Sequence, residues 1–510
     1  MTRRGARIDL QAFVLLLALL LLGGSAAAVA AAPATPPASS ADRPSCRGVE
    51  AAGLLLVAAS SPSGDPAPGL RVVDPSSGRT HRTIDTPPVV ALYPTSFSGH
   101  ALARSKTALL LVDAVAGSAK PVDLPPAVAD EIYPSQMLAR GSAGKRWTVV
   151  GSDRLSVAFL LDLRSGRTIS IGELIGSKEL PAQFIGFAAV SPDDAHALAW
   201  DGQHSFLITL GSKPKARRLG DGRPSFGPDF SPDGKEIVYS RLGDSGSGSQ
   251  VMTERVAGGG GGGGGGKVHE SDDIAITLWA PHGRTLLIDH RKAGAAGSGS
   301  VSTLDLDANR ERTMLDYAGV LSAVQFSADG RDALLDVQNG ESHRIWIGDM
   351  AKGTATEAFS DADHVPFPGL YGDARWATLT PASPYVKGGI VGHYTGIDLQ
   401  TGQLTRLLDR ERGSSYLPPT LSANGRFALL EERRDDASTV WLLDNATGID
   451  RSLGTAQSLG AAFAPDGCWV ALSSTERTED GILPRLTVAN VGGTISTPAG
   501  AGGVTAWING

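Results

Sequence analysis

The chain has 510 residues, 41% of them apolar, with 64 glycines and 31 prolines. That length can supply a core for two or three ordinary domains or one large repeat array, and the glycine and proline content favours many turns over long helices. A formal charge of −7 gives no basic field, which excludes a charge-driven nucleic-acid surface.

The N-terminus reads as an export signal. Arg3, Arg4 and Arg7 precede the run FVLLLALLLLGGSAAAVAAA, and small residues around Ala28-Val29-Ala30 suit a signal-peptidase cut, so residues 1–30 are expected to be a signal peptide. The run is also long enough for an uncleaved anchor, the alternative for this segment. TRRGAR matches a twin-arginine signal imperfectly, because alanine stands where a bulky apolar residue is usual. Cys46 lies too far from the run for a lipoprotein. Residues 31–48 form a Pro/Ala/Ser spacer, expected to be disordered. No later stretch is long and apolar enough to cross a bilayer, so the remainder is expected in the periplasm or secreted.

From residue 49 onward two phrases alternate. The first is an apolar residue, a Ser-Pro or Ala-Pro step, an Asp-Gly turn and a strand-like alternation. It reads VSPDDAHALAW at Val190, FSPDGKEIVYS at Phe230, LWAPHGRTLLID at Leu278, FSADGRDALLD at Phe326, LSANGRFALLE at Leu421 and FAPDGCWVALSS at Phe463. SFSGHALARS at Ser96, LARGSAGKRWTVV at Leu138 and YGDARWATLT at Tyr371 are weaker echoes. The steps are roughly 40 to 50 residues, the spacing of propeller blades.

In the second phrase a glycine follows an aspartate by four residues: Asp74/Gly78, Asp113/Gly117, Asp162/Gly166, Asp349/Gly353, Asp398/Gly402 and Asp444/Gly448. A hairpin needs this pattern: an Asp side chain that caps the turn and a Gly free to take positive φ. Each unit therefore reads as four antiparallel strands, two of its turns marked by these phrases. One such sheet cannot bury both faces alone, and radial stacking of neighbours solves the problem. The expected fold is an all-β propeller spanning residues 49–510. Its turns count about ten units, with eight left open because ten exceeds the usual blade number.

The ends complement each other. GGVTAWING at the C-terminus resembles a first strand and turn, while GLLLVAASS near residue 53 resembles a second strand with nothing before it. The C-terminal strand is therefore expected to join the N-terminal blade and close the ring. Cys46 then precedes a strand of the joined blade and Cys468 follows the turn of the neighbouring last unit. A Cys46–Cys468 disulfide becomes geometrically reasonable, with two unpaired thiols as the alternative.

The FSPDG phrases with their apolar alternation resemble the TolB-type, WD-like propeller repeats. These also occur in the propeller domains of prolyl-oligopeptidase-type peptidases. The resemblance covers most of residues 50–510 and implies a fold more than an activity. TolB proteins carry an α/β domain before the propeller and the peptidases carry a hydrolase domain; here a signal and short spacer precede the repeats, and the repeats reach the last residue. Neither activity carries over.

Several segments invite chemical readings. GDSGSGS at Gly243 resembles a serine-protease nucleophile phrase but has no matching His context or G-x-S-x-G spacing, so it reads as an interstrand loop. The nine glycines 258–266 lack a P-loop ending and read as a flexible connection between the last two strands of a blade. KVHESDD gathers His269, Glu270, Asp272 and Asp273, but the spacing matches no metal motif and a solvated acidic connector is expected. His204, His282, His290, His343, His364 and His393 are scattered, one per unit or fewer. The turn carboxylates Asp193, Asp233, Asp329 and Asp466, with Gly234, Gly330 and Gly467, recur at one position in successive units. That recurrence indicates turn capping and not paired-carboxylate glycosidase chemistry, and no carboxylate that breaks the repeat stands out. Trp200, Trp279, Trp346, Trp376, Trp441 and Trp469 are expected to pack between blades. Asn445 opens an N-A-T glycosylation sequon.

The expected function is a non-enzymatic, monomeric, exported binding or scaffold module for a protein or cell-envelope ligand. No cofactor and no catalytic residue is expected; a structural divalent cation in the channel is left open. Membrane contact would come only through an uncleaved N-terminal segment. The alternative is an extracytoplasmic hydrolase or lyase acting on a sugar or lactone with channel residues. A TolB-like role within an envelope complex is a third reading.

Overall fold

The computed structural model describes residues 53–508 apart from short stretches, the longest being 135–145, 177–188, 257–265, 367–374 and 382–392. The strands form ten antiparallel sheets, nine of four strands and one of five. This settles the blade count at ten. In blade 9 the first strand is split into Ser415–Tyr416 and Thr420–Leu421, both paired with Phe427–Arg434.

Nine blades are laid down in chain order, a to d. Blade 5 is typical: Pro224–Phe230, Glu236–Leu242, Ser249–Arg255 and Gly266–Ser271. Blade 6 follows with Ile274–Trp279, Thr285–Arg291, Ser298–Asp305 and Arg310–Ala318. The a strands of neighbouring blades touch, as Pro224–Phe230 does Ile274–Trp279, so they line the axis. The d strands are largely exposed, for example Thr80–Ile84 and Gly266–Ser271, and form the rim.

Blade 1 is the exception. Its b, c and d strands are Leu54–Ser60, Pro66–Val73 and Thr80–Ile84, and its a strand is the C-terminal Thr505–Ile508. Leu54 to Val57 pair antiparallel with Ile508 to Thr505. The tail donates the strand that the head lacks, as its sequence predicts.

The b strands carry runs such as Leu55-Leu56-Val57 and Leu286-Leu287-Ile288, with every residue at 0% exposure. Such runs suit a strand covered on both faces, because alternate side chains enter opposite interblade spaces. Ten apolar clusters result, one at each junction. They run from blades 1–2 (Leu56, Val72, Ala101, Leu110) round to 9–10 (Leu429, Val440, Val470, Leu472). The tenth joins blade 10 to blade 1 through Leu55, Val57, Trp469, Ala471 and Trp507. An open arc of ten sheets would have nine such junctions. The ring is closed.

Trp507 also donates its indole N–H to the Ala462 carbonyl of blade 10 at 3.0 Å, tying the donated strand to both neighbours. Cys468 packs against this same cluster.

Candidate functional site

Because strands alternate in direction, every a–b and c–d turn falls on one face of the ring, and every b–c and d–a connection falls on the other. The first face is regular at most of its described turns, the glycine run between the c and d strands of blade 5 being the main departure. Asp233 accepts from the Ser231 hydroxyl at 2.8 Å and from the Lys235 N–H at 3.1 Å, while Gly234 takes φ 70°. Asp193 and Asp329 repeat this with Ser191 and Ser327, Asp466 caps the Cys468 N–H at 2.8 Å, and Gly330 and Gly467 take φ 66° and 69°. Burial alone would raise the Asp233 pKa, but the hydroxyl and the Lys235 groups hold it below the usual carboxylate range. These aspartates are turn caps.

The c–d turns are equally regular. Asp74, Asp113, Asp349, Asp398 and Asp444 each accept backbone N–H groups two or three residues on. Asp162 does so too, and Arg146 clamps it at 2.9 and 2.7 Å from the turn of the adjoining strand pair. Arg375–Asp398 and Arg426–Asp444 are the same clamp in blades 8 and 9, each arginine lying over the aromatic ring that follows it. A seventh c–d turn escaped the Asp/Gly pattern. Asp305 caps the Asp307 and Ala308 N–H groups, and Asn309 takes φ 47° where glycine is usual.

The opposite face is irregular. Its connections include Lys106–Ala108, Asp201–His204, Gly243–Gly248 and Lys292–Gly297, together with the α-helix Ile171–Ile175, capped by the Ser170 hydroxyl. They differ in composition, and most of them in length, from blade to blade.

Among the described residues, a polar constellation lies in the cleft between blades 5 and 6. His269 stands on the d strand of blade 5. His290, Ser302 and Glu311 stand on the b, c and d strands of blade 6. They continue outward the apolar packing of Val238, Val251, Leu286 and Ile288. His269 Nδ1 is 2.9 Å from Glu311 Oε2, and His290 Nε2 is 3.1 Å from Glu311 Oε1. The Ser302 hydroxyl lies 2.6 Å from that Oε1 and 2.8 Å from His290 Nε2. The imidazole rings are 5.1 Å apart, edge to face. Side-chain exposure rises from 8% at His290 through 16% at His269 to 31% at Glu311, so the cluster opens to solvent on its carboxylate side. The two imidazoles, opposed by burial and aided by Ser302, hold the Glu311 carboxyl well below the usual range. His269 Nε2 is buried with no hydrogen-bond partner. One ligand atom from each of His269, His290 and Glu311 falls within 4.8 Å of the others, so these residues could hold a cation.

KVHESDD is thus not a connector. Most of it is the d strand of blade 5, which turns His269 into the cleft, while Glu270 pairs with Lys267 and Gln250 at the rim. Glu311 sits in a charged stretch with no motif, and sequence reading missed it. At the rim-turn end of the same cleft a cavity of about 280 Å³ is lined by Glu236, Glu254, Arg255, Gly266 and Arg284. Arg284 meets Glu236 at 2.8 Å and Asp307 at 2.6 Å, and Arg217 meets Glu254 at 2.6 Å.

Two further carboxylates are buried, and they share one repeat position, six residues after the turn glycine in blades 6 and 7. Asp289 and Asp336 are 3% and 2% exposed at the ends of the b-strand runs of blades 6 and 7. Asp289 accepts from Tyr317 Oη and from Arg291 Nε, and Asp336 meets His343 Nδ1 at 3.0 Å and accepts from the Ser322 hydroxyl. Burial, then Asp289, pushes the Tyr317 phenol far up. Ser322 contacts the aspartate and not the imidazole, so the group is not arranged as a nucleophile–base relay.

The other candidates resolve simply. Gly243 and Gly248 close the GDSGSGS connection backbone to backbone at 3.2 Å; residues 244–247 lie outside the described residues. Of the glycine run, 258–265 lie outside them and Gly266 opens the fourth strand of blade 5, so the run links the last two strands of a blade, as expected. His204 pairs with Asp201, and the side chains of His364 and His393 lie outside the described residues. Trp200, Trp279 and Trp469 are buried, and Trp346 and Trp441 pack against interblade clusters. Asn445 is 1% exposed, its amide donating to the Gly425 carbonyl and Thr378, which removes the sequon from the surface. Cys468 is held in a disulfide, and Cys46, its expected partner, lies outside the described residues.

No protein-family model matches this sequence, and no curated protein matches it. Solved structures similar to it include a eukaryotic initiation factor, at 11% identity, covering 89% of this chain and 98% of that one, with a TM-score of 0.48. An oligogalacturonate lyase from Vibrio parahaemolyticus is 10% identical, covering 57% and 84%, with a TM-score of 0.39. A putative TolB from Agrobacterium tumefaciens is 14% identical, covering 53% and 80%, with a TM-score of 0.28. Likenesses at this level carry nothing about activity.

Proposed function

We propose that the chain is an exported β-propeller that binds a protein or cell-envelope component through the face bearing its b–c and d–a connections, without chemistry of its own. The supporting observation is the contrast between faces. One repeats capped turns at most blades, interrupted by the glycine run between the c and d strands of blade 5, and the other carries b–c connections from two residues to about eleven long. A rigid scaffold with variable loops on one side is the usual arrangement for recognition. Among the described residues no helix is long and apolar enough to cross a membrane.

The rival, a sugar- or lactone-directed hydrolase or lyase, needs ionisable groups converging in the central channel. The clusters at Glu311, Asp289 and Asp336 stand on b, c and d strands, between blades.

The test is capture from solubilised envelope with cross-linking. Variants replacing Gly243–Gly248 and Lys292–Gly297 by two-residue turns are expected to lose a specific partner, while changes at the c–d turns of the opposite face keep it. Equal capture by both sets, or turnover of a polysaccharide or lactone panel, would overturn the reading.

A further inference from the structure

The cleft between blades 5 and 6 holds a set of donors that neither ring architecture nor face-directed binding requires. Two imidazoles and a carboxylate from two blades converge, with their ligand atoms within 4.8 Å of one another. The two His–Glu contacts, 2.9 and 3.1 Å, are close to the roughly 3.3 Å edge of a tetrahedron built on zinc–ligand bonds. Little movement would admit an ion.

The chemistry of the donors narrows the ion. Two imidazoles disfavour calcium and magnesium, which take oxygen ligands, and suit zinc and its first-row neighbours. The remaining requirements of a real site are a second shell and an entry path. Ser302 supplies the first, its hydroxyl 2.6 Å from Glu311 Oε1. The partly exposed Glu311 supplies the second, leaving room for a water ligand.

We propose that His269, His290 and Glu311 bind one borderline divalent cation of the zinc class, with water completing the shell, and that the ion joins blades 5 and 6 at their outer edges. The proposal is independent of which face binds a partner.

The test uses tag-free, chelator-stripped full chain and zinc(II) alone. Elemental analysis after dialysis is expected to give about one zinc per chain, with a saturable rise in Tm. His269→Ala and His290→Ala are expected to abolish both, and Ser302→Ala to weaken binding about ten- to a hundredfold. His204→Gln, at a distant pair, is expected to change nothing. Should the histidine variants fail to fold, cobalt(II) titration of the unmutated chain decides. Visible d–d absorption of a tetrahedral site, lost on adding zinc, supports the assignment. No stoichiometric zinc, no such absorption, or binding indifferent to these substitutions would overturn it and leave the three groups as a hydrogen-bonded latch.

Discussion

Asp194 of blade 4 reaches back to Arg146 of blade 3: both its carboxylate oxygens lie 3.0 Å from the Arg146 backbone N–H, and one lies 3.2 Å from the Trp147 N–H. It does so from φ 58°, the left-handed position that glycine fills in the sister turns. An L side chain there costs about 1–2 kcal/mol, less for Asp, so the strain is set against a contact between blades.

That balance makes an ordering. Asp194→Ala keeps the strain and loses the bridge, and is expected to cost about 1–3 kcal/mol. Asp194→Gly loses the bridge but relieves the strain, so it should fall between Ala and the unmutated chain. Thermal unfolding of the three proteins checks this. Gly at or above the native Tm would show that the bridge contributes no more than the strain it is set against.

Trp507 should matter more than any other residue of the last strand. It fills the junction of blades 10 and 1 and donates to Ala462. Trp507→Ala is expected to destabilise by about 3–5 kcal/mol, measured by denaturant unfolding. Trp507→Phe should recover most of the packing but not the hydrogen bond.

The disulfide at Cys468 sits at the same junction. Paired with Cys46 it would close a loop of several hundred residues, for which chain-entropy models give roughly 5 kcal/mol, usually less in practice. Cys46→Ser, Cys468→Ser and the double variant are expected to share one lowered Tm. Additive losses would mean that the two cysteines do not pair with each other.

Asp332 gives a pH dependence. Burial first, then Asp329 and Asp349, pushes its carboxyl up to about 6. A folded-state value above the unfolded one means that the proton favours the fold. The contribution is complete below about pH 4 and is lost as pH rises through about 6. Asp332→Asn is therefore expected to be more stable than the native chain by about 1 kcal/mol above pH 7, after solvent screening, and no different near pH 4. A gain that is constant across this range would exclude ionisation as the cause.

The fold was legible because its turns are local chemistry. Asp-Gly and Asp-x-x-x-Gly need no distant partner to be recognised, and the unpaired halves at the two ends matched each other as strands. Where Asn309 replaced glycine, or Asp194 did, the pattern blurred although the backbone is the same. The polar clusters were illegible for the opposite reason. His290 and Glu311 are twenty-one residues apart and lie on different strands, and His269 reaches them from another sheet. No spacing rule links them, and superposing successive blades sets His269 level with Leu315, four residues from Glu311. Asp289 and Asp336 close two of the quoted phrases at one repeat position, but their burial and their partners Tyr317 and His343 on other strands are not written there.

The closed ring of ten is tested most directly by an experimental structure of the full chain. It is expected to count ten blades, with residues 505–508 hydrogen-bonded antiparallel to 54–57. Eight blades, or a C-terminal strand paired anywhere else, would contradict it.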